Sequence, residues 1–201
     1  MVSWLNFLTL IICSFLFSFF YLRSVRPTAL EKGIGAIAYK KCAFYRSISS
    51  IFMLIASANY ILYFWFPLPL PMPQTFPWEW WISATIAIVI AIPSLYLMYR
   101  GIKDAGEETM RPKKEHIMYG GIYKKIRHPQ AVGELPLWWV IAFLVHSPFL
   151  VLISFAYIPV WYYWCRAEEK DLLIRYGIAY KEYTDQVGFW FPKRTQSGSS
   201  S

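Results

Sequence analysis

Two short stretches carry residue types that could do chemistry. The first, GGIYKKIRHPQAVGE at residues 120–134, sets Lys124, Lys125 and Arg127 beside His128 and Pro129 at the threshold of an apolar run, with Glu134 a turn inside it. Proline at a first helical position loses no hydrogen bond, so His128-Pro129 reads as a helix start. The free backbone N–H groups of that start, next to Arg127, would hold an anion. Gly133 removes a side chain one turn in, which lets a ligand or a neighbouring helix approach, and Glu134 is costly on an apolar helix unless it is partnered. The second stretch, WCRAEEKDLLIRYG at residues 164–177, offers Arg166 and the carboxylates of Glu168 and Glu169. Leu172, Leu173 and Tyr176 continue an amphipathic face up to Gly177, a helix C-cap. Carboxylates there could hold hydroxyls or an ammonium group, or accept a proton. A zwitterionic cofactor would use both stretches. The plainer reading is a basic interfacial anchor followed by a solvated charge pair.

Whether the two stretches meet depends on the elements that carry them. The chain has 201 residues, 57% hydrophobic, 20% aromatic and only 16% charged. The charge is unevenly placed: residues 1–22 have none, residues 47–99 have Glu79 alone, and residues 135–165 have no Asp, Glu, Lys or Arg. Such runs read as membrane spans. Spans are expected at Trp4–Leu22, Ser47–Phe66 and Trp80–Tyr99, and Pro93 should kink the third. The 35 residues from Pro129 to Tyr163 would make a helix of roughly 52 Å, too long for a core of about 30 Å. His146-Ser147-Pro148 signals the break. Two equal helices, 129–146 and 149–166, then form a hairpin that returns Glu168 and Glu169 to the level of His128. The expectation is an all-α integral membrane protein of five spans, the last two a hairpin.

All 20 Lys and Arg fall in residues 23–46, 100–127 and 166–194. With the N-terminus outside, these three regions and the C-terminus lie on the cytosolic face. The net charge of +8 then reads as topogenic and attractive to anionic lipid. No basic segment is interleaved with stacking aromatics, so nucleic acid is not expected. Cys13, Cys42 and Cys165, with His116, His128 and His146, lack metal-ligand spacing, and no metal is expected. GIGAIA (33–38) matches a dinucleotide pattern without its strand–helix context, in a 24-residue loop between spans. The first apolar run reads as a span rather than a cleaved signal, and TQSGSSS reads as a flexible tail. The expected division is 1–106, 107–194 and 195–201.

His116, Gly121, Tyr123, Arg127-His128-Pro129 and Gly133 follow the order H-x-x-x-x-G-x-Y-x-x-x-R-H-P-x-x-x-G; after an apolar hairpin come Glu168-Glu169, Leu172, Tyr176-Gly177, Tyr180 and Tyr183. Over about residues 107–192 this ordered set resembles the isoprenylcysteine carboxyl methyltransferase family and its relatives, the phospholipid N-methyltransferases. The resemblance implies S-adenosylmethionine in a cytosol-facing pocket and a lipophilic methyl acceptor entering from the bilayer. It assigns cofactor contacts to His116, Ile117, Met118, Tyr119, Tyr123, His128, Pro129 and Glu168. Met118 and Tyr119 would border the adenine, His128 the amino-acid end, and Glu168 a ribose hydroxyl or the ammonium. Two positions depart from the family: Ala131 stands where a Tyr is usual, and Trp164 stands where eukaryotic members carry an Arg that grips the substrate carboxylate. Arg166 is the nearby substitute for substrate binding.

A carboxylate acceptor needs alignment and partial desolvation but no base, and Arg127 is the catalytic candidate to orient it. An amine acceptor would need a base, for which Glu169 is the candidate. The leading expectation is methyl transfer to a carboxylate such as a prenylcysteine-like α-carboxyl. The alternatives are an NADPH-dependent sterol-type reductase, whose R-H-P-x-Y-x-G-E segment is partly matched by Gly133-Glu134, and a non-enzymatic lipid-binding scaffold.

Overall fold

A computed structural model describes residues 1–115 and 120–193. Regular structure among these residues is helical, apart from one bridge pairing Ile126 with Gly188. Helix α1 (Val2–Ser24) is followed by the short α2 (Pro27–Ile34) and by α3 (Ile37–Leu62). A Pro-rich connection leads to α4 (Trp80–Ala105), which contains Pro93. Then come α5 (Pro129–Glu134), α6 (Leu137–Leu144), α7 (Pro148–Phe155), α8 (Tyr157–Tyr176) and α9 (Ile178–Gln186).

Three helical stretches are long and apolar enough to cross a membrane: Val2–Ser24, Trp80–Thr109 and Pro148–Tyr176. The other two expected spans take a different form. The segment from Ser47 lies within α3, which has the length but carries Ser47, Ser49, Ser50, Ser57 and Asn59 along its course. Two polar side chains join α3 to α1: the Ser49 hydroxyl donates to the Phe17 carbonyl at 2.8 Å, and the Asn6 amide of α1 donates to the Asn59 backbone carbonyl at 3.0 Å. Small polar residues of this kind glue helices together in lipid. The expected 24-residue loop is also largely helical, since α2 and the first turns of α3 occupy it.

The hairpin exists but its arms are unequal and broken. The first arm stops at Glu134 and restarts at Leu137 because Pro136 has no N–H to donate. The second arm is interrupted at Ala156, where Pro159 removes a donor in the first turn of α8, and it runs on to Tyr176 rather than stopping near residue 166. The tip turns as expected: the Ser147 hydroxyl accepts from the Leu150 N–H at 3.3 Å, with Pro148 at the first helical position. Gly177, at φ 59°, closes α8. A buried aromatic core joins α1, α3 and the hairpin, centred on Phe17, Tyr60, Trp138, Tyr157 and Trp161.

Candidate active site

His128 precedes Pro129 at the start of α5, and the hairpin brings the carboxylates to it directly. His128 Nδ1 lies 3.5 Å from Glu168 Oε2, and Nε2 lies 3.3 Å from Glu169 Oε1. The gap expected between the two stretches is therefore closed by the protein's own ion pairs. Burial opposes charge on His128, but bonds to Cys165, Glu168 and Glu169 outweigh it and hold the imidazole well above the ordinary histidine range. The arrangement of carboxylates favours the charged form of His128.

Arg127 points its guanidinium at Glu169, with Nε 2.6 Å from Oε1, and also donates to the carbonyls of Thr184 and Val187. Its own N–H donates to the Gly188 carbonyl, and its guanidinium stacks over Phe189. Arg127 thus staples the segment after α9 to the mouth of the hairpin. Arg166 Nη1 reaches the other oxygen of Glu169 at 2.9 Å with its side chain half exposed, and it does not line the cavity described below. Glu169 is held by three cationic groups. Glu168 has His128 as its ionic partner and faces open space.

Close packing fixes the height of α5. A Cβ on Gly133 would lie 2.4 Å from the Met98 nitrogen and 2.6 Å from the Ser94 carbonyl oxygen, so this glycine admits α4 rather than a ligand. Buried Pro129 and Gln130 fill the notch at Gly101 in the same way. Gln130 donates to the Tyr123 hydroxyl at 2.8 Å, Tyr123 donates to the Gly101 carbonyl, and Tyr183 donates to the Tyr123 carbonyl at 2.6 Å. Burial raises the Tyr183 phenol to about 12, which keeps it a donor. His116, Ile117, Met118 and Tyr119 lie outside the described residues.

These groups border a cavity of about 300 Å³. One face of α8 lines it from Trp161 and Trp164 through Glu168 to Tyr176, and Tyr180 adds to the polar end. The cavity also draws on residues that carry no local signal in the sequence. Arg46 of α3 enters from the opposite wall and donates to the Glu108 and Thr109 carbonyls at 2.9 and 2.7 Å. Glu108 and Arg175 form a buried pair at 2.8 Å. Asp171 accepts from the Thr28 and Ala29 N–H groups and so caps α2. These partners are 67 and more than 140 residues apart, and only tertiary packing brings them together. The one usable hint was an acid just past α4 and a base near the end of α8, both at span ends on one face.

A polar mouth with a carboxylate beside an aromatic interior suits a ligand with a charged head and a reaction with an apolar partner. Residues 80–178, which hold α4 to α8 with both motifs, match the phospholipid methyltransferase family. The match takes in just under half of the chain and points to membrane methyltransferases. The chain is also similar to a methanethiol S-methyltransferase from a Pseudomonas species, with 29% identity over 121 residues that cover 58% of this chain. The chain spans just under half of that enzyme, 45% of its length. No solved structure matches it. The matched segment supplies only part of the cavity wall, because Phe17, Tyr21, Arg46 and Met53 come from α1 and α3.

Proposed function

We propose that the protein transfers a methyl group from S-adenosylmethionine to a lipophilic acceptor that reaches the cavity from the bilayer. The observation that carries this reading is Glu168. It is a carboxylate facing the cavity, oriented by His128 and placed between tyrosines at the mouth and tryptophans in the interior. Glu168 suits the ammonium or a ribose hydroxyl, while Tyr176 and Tyr180 give apolar faces for a base. When bound, S-adenosylmethionine supplies a methyl group already activated on a sulfonium. The chain's part is to align the acceptor and exclude water. The match of residues 80–178 to the phospholipid methyltransferase family supports the reaction class, and basic residues gathered at the motif-bearing ends support a cytosolic mouth.

Two acceptor head groups compete within this reading. The resemblance to isoprenylcysteine enzymes favours a carboxylate, for which Arg127 or Arg166 would be the orienting cation. The likeness to a methanethiol S-methyltransferase favours a thiol. Incubating the purified protein with methyl-labelled S-adenosylmethionine and either a prenylcysteine or an alkyl thiol tests the reaction. Label is expected in the organic-extractable product. Absence of transfer to every acceptor tried, in lipid as well as detergent, contradicts the proposal.

A further inference from the structure

The contacts described above leave one carboxylate in the cavity wall unused. Glu168 meets His128, Glu108 meets Arg175, and Asp171 caps α2. Glu134, the last residue of α5, also lines the cavity but forms no ion pair among the described residues. Its polar neighbour is the Trp161 indole, whose Nε1–H is buried and has no acceptor in hydrogen-bond geometry. Phe17 and Trp164 pack against Trp161. A carboxylate without an ionic partner and a buried indole N–H therefore lie side by side in the cavity wall.

Their position relative to Glu168 matters. Glu134 lies six residues beyond His128, and Trp161 lies seven residues before Glu168. At 1.5 Å of rise per residue, both offsets set the Glu134–Trp161 pair about 10 Å deeper than the His128–Glu168 pair. Tyr21 of α1, Glu134 and Glu168 all line the same cavity, so the two carboxylates share one space. A cofactor held at the mouth leaves the deeper pair to the acceptor.

We propose that Glu134 is the base that takes the acceptor's proton, that the Trp161 N–H holds the acceptor's lone pair, and that the acceptor is a lipophilic thiol. This rests on the methyltransferase reading and sharpens it. A carboxylate acceptor needs no base and would be repelled by Glu134. A neutral amine spends its single lone pair on the new bond and has none left for the indole, whereas a thiol sulfur has two. A thiol satisfies both, donating S–H to Glu134 and accepting from Trp161. The step balances: the thiol proton passes to a Glu134 oxygen, and the sulfur lone pair forms the new S–CH3 bond. The donor's S⁺–CH3 bond breaks, and its electron pair stays on the donor sulfur, which becomes a neutral thioether. A proton received by Glu134 removes an unpaired charge from an apolar wall.

The test uses the full chain in lipid nanodiscs, with hexanethiol and hexanoate as acceptors. Glu134→Gln should bind S-adenosylhomocysteine like the wild type but transfer methyl to hexanethiol about 100-fold more slowly or worse. Without turnover, the wild-type complex with S-adenosylhomocysteine should bind hexanethiol at least about 10-fold more tightly than hexanoate, and Glu134→Gln should lose that preference. Trp161→Phe should weaken hexanethiol binding and leave S-adenosylhomocysteine binding intact. Full transfer by Glu134→Gln, or methylation of hexanoate but not hexanethiol by the wild type, overturns the assignment while the methyltransferase reading stands. Should Glu134→Gln not fold, the wild-type choice between the two acceptors still decides. Failure of the wild type to bind S-adenosylhomocysteine overturns both.

Discussion

At the scale of single residues, the site is organised by how charges are shared around His128. Its imidazole bridges Glu168 and Glu169, yet the two carboxylates differ in what else they meet. Arg127 and Arg166 saturate Glu169, which leaves Glu168 as the carboxylate open to a ligand. The raised His128 pKa has a signed consequence. Its stabilisation is complete below the unfolded histidine value, declines as pH rises above that value, and is gone beyond the raised folded value. Thermal unfolding of the wild type should therefore show a loss of stability on going alkaline that His128→Gln lacks. Equal pH slopes in the two proteins would mean that His128 is not charged in the fold.

The elements place those residues through close backbone contacts. Helix α5 is only six residues long, too short to hold its own position, and Gly133 against Met98 and Ser94 of α4 sets its height. Gly133→Ala should cost about 1–3 kcal/mol from overpacking and, by lifting His128, should weaken S-adenosylhomocysteine binding. Retained binding with unchanged unfolding would show that the contact is loose. The two motifs and their meeting were legible in the sequence, because the hairpin signal at His146-Ser147-Pro148 and the Gly177 cap are local chemistry. The unequal arms were not. Pro136 and Pro159 break helices inside an apolar run that reads as continuous by composition. The contribution of α3 was hidden as well: Arg46 sits in what charge placement marks as a loop, and its partners Glu108 and Thr109 lie 62 and 63 residues away.

At the scale of the whole molecule, the cavity belongs to both halves of the chain. The segment that matches the family supplies the mouth and one wall, while α1 and α3 supply the other. The proposed topology puts the mouth on the cytosolic face, away from the Pro-rich connection before α4. Cys13, Cys42 and Cys165 are all buried, so an introduced cysteine can report sidedness. A membrane-impermeant thiol reagent added to intact cells should label Gln74→Cys, and should label Lys124→Cys only after permeabilisation. The reverse pattern would invert the orientation. The most direct measurement of the central claim is calorimetric binding of S-adenosylhomocysteine to the purified protein, with Glu168→Ala and NADPH run in parallel. Saturable binding by the wild type, lost in Glu168→Ala and absent for NADPH, is the predicted result. Binding of NADPH alone, or S-adenosylhomocysteine binding indifferent to Glu168, would contradict the account.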